Sequence, residues 1–204
     1  MARTGGKQTR MKILRTAEKI FSAKGYDGAS IQEISDAAGV NKALIYYHFK
    51  NKQDIIDSLF AQTLEEMFGM QGKTDEQIRQ SLHGSDVDKK VRETISFLQK
   101  KEKILTVMLM EALKNDKTGY ISLFKCADAI ISKNVSDIMH TLTDNQKKRI
   151  NRDELMMHEF FTGFVPIVFF ALFKDKWADY FQANRDAMMK MFIRVFKESH
   201  IRHE

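Results

Sequence analysis

The stretch "NKALIYYHFKNK", Asn41 to Lys52, decides how this chain is read. Two tyrosines, a histidine and a phenylalanine stand in a row between lysines, directly after Leu44 and Ile45. A short helix cannot bury all of them on one stripe. At about 100° per residue, Phe49 and Asn41 fall within about 40° of Ile45, Ala43 and Tyr47 about 160° away, and Leu44 and Tyr46 about 100° to either side. Ile45 and Phe49 are therefore expected to meet a core. Ala43 and Tyr47 must point away from it. An outer face of Tyr46, Tyr47, Leu44 and Ala43, rimmed by Lys42, His48 and Lys52, is a poor surface for water but suits a DNA groove. Ala43 and Leu44 can touch thymine methyl groups there. The tyrosine hydroxyls, His48 and Lys52 can reach phosphates, contacts that position a helix without reading sequence.

The flanking residues support a helix at this place. Ser30 with Glu33 three residues on is a capping box. It opens a helix whose inner face is Ile31, Ile34 and Ala38 and whose Gln32 is a further candidate for DNA contact. Ala37 to Val40 breaks that helix, and Asn41 can cap the next one. Upstream, Ile13, Leu14, Ala17, Ile20 and Phe21 form one helical stripe. Gly25 suits the left-handed position at its end. The arm "ARTGGKQTR" before it is expected to be disordered. Two short helices joined by a glycine turn, with a third before them, make a helix-turn-helix whose second helix enters the major groove.

The charge is placed accordingly. The net charge is +6, and residues 1–52 hold ten Lys and Arg against four Asp and Glu, while the remainder is balanced. A local basic excess is the electrostatic footprint of a polyanion site.

Residues 10–60 resemble the DNA-binding domain of the tetracycline-repressor (TetR) family of bacterial regulators, the matching pieces being "ILRTAEKIFSAKGYDGASIQEISDAAGVNKALIYYHFKNKQDIIDSLF". The spacing from "F..KGY" through "I..I...AGV" to "YYHFKNK" carries the resemblance. It implies that the paired aromatic positions and Lys52 grip the DNA backbone, and that Lys42, Ala43 and Leu44 lie where bases are read. Many members carry a small hydroxyl residue or glycine where Leu44 stands, so base preference does not carry over. The resemblance also implies a homodimer on a pseudo-palindromic operator, with a small-molecule effector bound further along the chain.

The rest of the chain reads as all-α, giving a head at 1–52 and a ligand-binding and dimerisation domain at 53–204. A helix is expected from about Asn51 to Gly69, with Ile55, Ile56, Leu59, Phe60, Leu64 and Met67 buried, then a loop "GMQGKT" and a short helix over Asp75 to Leu82. Another begins at Ser85. Ile104 to Leu113 is apolar almost all round and is expected to be buried. Further helices are expected over 120–142, from Asn151 to about Phe173, and from Trp177 to Ser199. Pro166 should kink the second of these.

Most Met and Phe lie after the head, as a reshaping ligand cavity would use them. The candidate pocket is Phe97, Met108, Phe124, Phe160 and Phe164, and it would take a small lipophilic or aromatic effector. Glu111 is expected at the surface, paired with Lys114 or Asn115; turned inward, it would favour a cationic ligand. Phe160, Phe164, Ile167 and Ala171 on one helix, with Phe181, Met188, Phe192 and Val195 on the next, are spaced for a dimer interface.

Other classes find little support. One cysteine, Cys126, excludes an internal disulfide. No metal-ligand spacing, phosphate loop or nucleophile elbow is present, so neither an enzyme nor a cofactor is expected. The run Phe160 to Phe173 is too short to cross a membrane. The expected location is the cytoplasm. The expected function is a transcriptional repressor released from operator DNA by an apolar ligand. A DNA-binding protein of the same fold without an effector is the alternative, and an all-helical enzyme a more distant one.

Overall fold

The structure, a computed structural model, describes residues 2–70, 85–114, 117–141, 143 and 151–201. Every regular element among them is helical. The chain forms two compact units, Met1–Glu66 with Lys103–Cys126, and Met67–Glu102 with Ala127–Glu204.

The first unit holds α1 (Ala2–Gly28), α2 (Ile31–Ala38), α3 (Lys42–His48), the first part of α4 (Lys52–Met70), α6 (Glu102–Ala112) and the start of α7 (Lys117–Thr141). The predicted stripes supply its core. Ile13, Leu14, Ala17 and Phe21 are buried on α1, as are Ile34 and Ala38 on α2, Ile45 and Phe49 at α3, and Ile55, Ile56, Leu59 and Phe60 on α4. Complete burial of a Phe or Ile side chain contributes about 1.5–3 kcal/mol, so these residues dominate the stability of the head. Gly25 has φ 73°, and the helix breaks there before a last turn at Tyr26–Gly28. Only glycine adopts that conformation without strain. The N-terminal arm differs from expectation, because α1 extends through it back to Ala2.

On α6, Ile104, Leu105, Val107 and Met108 are buried, but Met110 is 63% exposed, and Leu113, just past its end, 85%. An all-apolar segment is thus buried on one side only. The end of α4 lies one residue beyond the expected stop at Gly69. The expected helix at 75–82, the rest of the "GMQGKT" loop, and the side chains of Leu64, Met67 and Cys126 fall outside the described residues.

In the second unit α5 (Ser85–Lys100) packs along α9 (Val165–Phe181), which also packs on α10 (Arg185–Phe196). Phe170 of α9 stacks on Phe192 of α10 with ring centres 3.9 Å apart. Lys197 donates to Asp88 at 2.9 Å. Ala127, Ile131 and Val135 of α7 are buried against Leu155, Met156, Phe160 and Phe164.

Two helix boundaries in this unit depart from the sequence reading. From Asn151 the chain runs through α8 (Arg152–His158), a π-helical stretch at Glu159–Phe164 and α9, reaching Phe181 rather than Phe173. The π turn, with Val165 N–H donating to Phe160 O, immediately precedes Pro166. Proline has no N–H and crowds the carbonyl four residues back, and a widened turn accommodates both without ending the helix. The second departure is at Gln182, whose φ is 53°. It ends α9, so Trp177 and Phe181 close α9 rather than open the last helix. Asn184 caps α10 by accepting from Ala187 N–H at 2.9 Å. A second π-helical stretch, Lys197–Ile201, follows.

The run Phe160 to Phe173 is therefore part of a longer rod. Arg152–Phe181 spans 30 residues and is long and apolar enough, by length and composition, to cross a membrane. Of its aromatic residues, Phe169, Phe173, Trp177 and Phe181 are about half-exposed.

Candidate nucleic-acid interface

The starts of α2 and α3 are held by the capping side chains that the sequence places there. Ser30 Oγ accepts from Glu33 N–H at 3.1 Å, fixing the start of α2. Gly39 sits in the left-handed region at φ 59° and its N–H donates to Asp36 O, closing α2. Buried Ser35 donates its hydroxyl proton to Val40 O at 2.6 Å, which pins the tight turn between α2 and α3. Asn41 Oδ1 accepts from Leu44 N–H at 2.7 Å and starts α3. Such caps stabilise a helix by about 1 kcal/mol each.

The two sides of α3 then separate as the helical angles require. Ile45 is 0% exposed and Phe49 2%, while Tyr47 is 81% exposed and Tyr46 51%. Lys42 and Ala43 are exposed; Leu44 and His48 are half-buried. Tyr47 meets the His48 ring edge-on at 5.0 Å, and the Arg10 guanidinium covers the Phe49 ring at 4.9 Å. Gln32 is exposed on α2, its amide donating to Asp36 at 2.9 Å. The outward face contains aromatic, apolar and cationic groups and no carboxylate.

Lys52 makes contacts within the head that its place in the sequence does not announce. Its ammonium turns inward, donating to Tyr26 O at 2.9 Å and Ala29 O at 3.0 Å. It also lies 4.2 Å from the centre of the Tyr26 ring. A lysine at this place clamps the turn between α1 and α2, and two of its three protons are already used. The same turn is held a second time by Lys114, which pairs with Asp27 at 2.5 Å and Glu111 at 2.6 Å. Burial pushes the Tyr26 phenol above its ordinary pKa, and the charges of Glu111, Asp57 and Asp27 push the same way. Burial draws Lys114 down, but its hydrogen bonds to Asp27 and Glu111 outweigh this and raise it overall. Beside them buried Ser122 of α7 donates to Asp57 of α4 at 2.6 Å. Apart from the Lys114–Glu111 pair, helical periodicity gives no sign of these contacts, which join residues far apart in sequence.

The candidate pocket residues divide between the two units. Met108, Glu111 and Phe124 belong to the first; Phe97, Phe160 and Phe164 belong to the second. Met108 and Phe97 are buried, whereas Phe124 is 50% exposed. Glu111 pairs with Lys114, the expected partner, but is largely buried rather than at the surface. Phe160 and Phe164 stack at 5.7 Å.

The dimer candidates divide by burial. Ala171 is buried, and Phe160 and Phe164 pack on the α7 cluster of their own unit, so their four-residue spacing marks an inward stripe. Phe192 is engaged with Phe170. Phe181 lies on α9, so it cannot share a stripe with Met188, Phe192 and Val195 on α10. Among the residues left outward, Phe169, Phe173, Trp177 and Phe181 on α9 and Met191 and Val195 on α10 are each about half-exposed, and Tyr180 on α9 is more exposed still. Strict spacing by four from Phe169 to Phe181 was the signal for this ladder. Its rings form two pairs, Phe169 stacked on Phe173 with centres 5.7 Å apart and Trp177 tilted against Phe181 at 4.4 Å. Ile167 and Met188 are half-buried.

Residues 13–59 match the family model for bacterial regulatory proteins of the tetR family. The HTH-type transcriptional repressor NicS of Pseudomonas putida is 33% identical over 91 residues, covering 45% of this chain and 40% of that protein. IcaR of Staphylococcus epidermidis, a negative transcriptional regulator of the biofilm operon icaADBC, is 46% identical over 44 residues, covering 22% of this chain and 24% of that protein. The chain thus aligns with less than half the length of either relative. Among solved structures, Salmonella enterica GusR superposes with a TM-score of 0.68 at 18% identity, covering 95% of each chain. The regulator FadR of Bacillus subtilis, solved in complex with stearoyl-CoA, has a TM-score of 0.59 at 18% identity, covering 91% of this chain and 96% of that one. These likenesses establish the all-helical fold along nearly the whole chain.

Proposed function

We propose, from the match of residues 13–59 to the tetR family of bacterial regulatory proteins, that the chain is a transcriptional repressor that binds a pseudo-palindromic operator as a homodimer. The outward face of α3 carries this reading. Tyr47 is 81% exposed and Tyr46 51%, with Lys42 and Ala43 beside them and Ile45 and Phe49 taking the burial. A helix that commits two tyrosines to water without gain to its own core is suited to a partner surface. Ala43 and Leu44 at its first turn meet base edges, and Tyr46, Tyr47, Lys42 and His48 meet phosphates. Lys52 supports that surface from behind rather than joining it. Repression is favoured because NicS and IcaR are named as a repressor and a negative regulator.

A two-fold dimer places two such helices about 34–36 Å apart, one turn of DNA. The aromatic ladder of α9 with Met191 and Val195 of α10 is the interface, and two helices from each subunit make a four-helix contact. The effector is small and lipophilic or aromatic, held among the Phe and Met side chains of the second domain. FadR, similar in fold, was solved with an acyl-CoA, and an acyl chain is a ligand of this apolar class. Release from DNA requires the ligand to bind the non-reading state more tightly than the reading state.

The test is selection of DNA fragments from a genomic library by the purified full chain. A shared inverted-repeat sequence among the bound fragments is expected. Fragments with no sequence in common would contradict the proposal. Release of the selected operator by fatty acids, acyl-CoA or neutral aromatics separates a ligand-responsive repressor from one of the same fold without an effector.

A further inference from the structure

We infer that the outer face of α1 is a second DNA-backbone track, which holds phosphates beside the groove read by α3. This rests on the DNA-binding reading above and extends it to residues outside the helix-turn-helix. Lys7, Lys12, Arg15 and Lys19 are all exposed, and with Met11 they line an open groove on α1. None of the four makes an ion pair among the described residues, whereas Lys24, further along the same helix, pairs with Glu33. Like charges one helical turn apart repel by a few tenths of a kcal/mol per pair. Lys12, Arg15 and Lys19, within about 60° of one another around the helix, are therefore unpaired cations on one face that a polyanion would stabilise.

Their position selects DNA. A Cβ built on Gly39, in the turn that enters α3, would lie 3.7 Å from Lys12 Nζ. A Cβ built on Gly6 would lie 4.0 Å from His48 Cε1, at the last residue of α3. Arg10 covers Phe49 next to it. The α1 chain thus passes from the end of α3 back toward its start, running alongside the reading helix in the opposite sense. Lys7 to Lys19 span about 18 Å at 1.5 Å per residue. One DNA strand carries a phosphate about every 3.4 Å of axis, so about five lie within that length.

The experiment uses the full chain and its selected operator, with affinity measured against salt concentration. Lys12→Gln/Arg15→Gln/Lys19→Gln is expected to flatten the slope of log K against log salt by about 0.9 for each lost phosphate contact, two to three in all. Base preference stays that of the wild type. The double variant Lys12→Arg/Lys19→Arg keeps the charge and is expected to keep the slope. An unchanged slope in the triple variant, with weakened binding in Lys42→Gln, overturns this inference and leaves the α3 reading standing. If the wild type selects no DNA, both fail. If the triple variant keeps its DNA slope but no longer binds phosphatidylglycerol vesicles that the wild type binds, the track serves an anionic lipid surface and the inference is wrong.

Discussion

Lys52 and Tyr26, 26 residues apart, are joined twice: the Lys52 ammonium donates to the Tyr26 carbonyl at 2.9 Å and lies 4.2 Å from the centre of the Tyr26 ring. With the third contact, to Ala29 O, α4 is fastened to the turn between α1 and α2. The reading helix is oriented by that turn, so a residue at the edge of the DNA surface acts through the frame behind it.

Lys52→Ala is therefore expected to lower stability, by about 1–3 kcal/mol for the loss of charged hydrogen bonds that satisfy two carbonyls. Its salt slope on operator DNA should match the wild type. Urea unfolding and salt-dependent affinity measured on one preparation check both. Wild-type stability with a flattened slope would return Lys52 to the role of a direct phosphate contact.

Lys114 gives a pH signature. Its folded pKa is raised, so the stability it contributes is complete below the unfolded value of about 10.5 and is lost as pH rises through the folded value. Tyr26 is raised as well, so its contribution is likewise present below about 10 and lost above it. The stability difference between wild type and Lys114→Met should stay level from pH 7 to 9 and shrink above about pH 10. A difference that vanished already near pH 8 would show that the contacts with Asp27 and Glu111 are not what the ammonium contributes.

Assembly tests the aromatic ladder. Trp177→Glu or Phe173→Glu is expected to give a folded monomer by sedimentation, because both side chains are about half-exposed in the single chain. Ala171→Glu should instead unfold the second unit, since a buried unpaired carboxylate costs several kcal/mol. A folded dimer from both ladder variants would remove α9 as the interface.

The effector class follows from burial of apolar surface at about 25 cal/mol per Å². A thermal-shift screen is expected to find stabilisation by fatty acids, acyl-CoA or neutral aromatics and none by sugars. Lipophilic cations should bind no less well to Glu111→Gln than to wild type, because Glu111 is committed to Lys114. Weakened cation binding in that variant would place Glu111 in the pocket.

The head was legible because its signals are local. Ser30, Gly39 and Asn41 act within four residues of themselves, and period alone assigns Ile45 inward and Tyr47 outward. The inward contacts of Lys52 are not legible for the opposite reason. An angle fixes where a stem begins, not where four flexible methylenes carry the ammonium. Gln182 adopts φ 53° with no glycine to announce it, so α9 and α10 were divided in the wrong place and Phe181 was assigned to the wrong helix. The Asn184 cap was a readable sign of the true start. For Phe160 and Phe164, spacing identified a stripe but could not say whether the chain itself or a second copy covers it. The ties of Lys114 to Asp27 and of Ser122 to Asp57 cross more than 60 residues, beyond the reach of periodicity.

The central claim, that α3 reads DNA with its first turn, is tested most directly by selecting operators from a randomised library with wild type and Leu44→Ala side by side. A changed base preference at one or two positions in each half-site is predicted, worth about 1–3 kcal/mol of discrimination at each, with the salt slope unchanged. Identical preferences in the two proteins would contradict it.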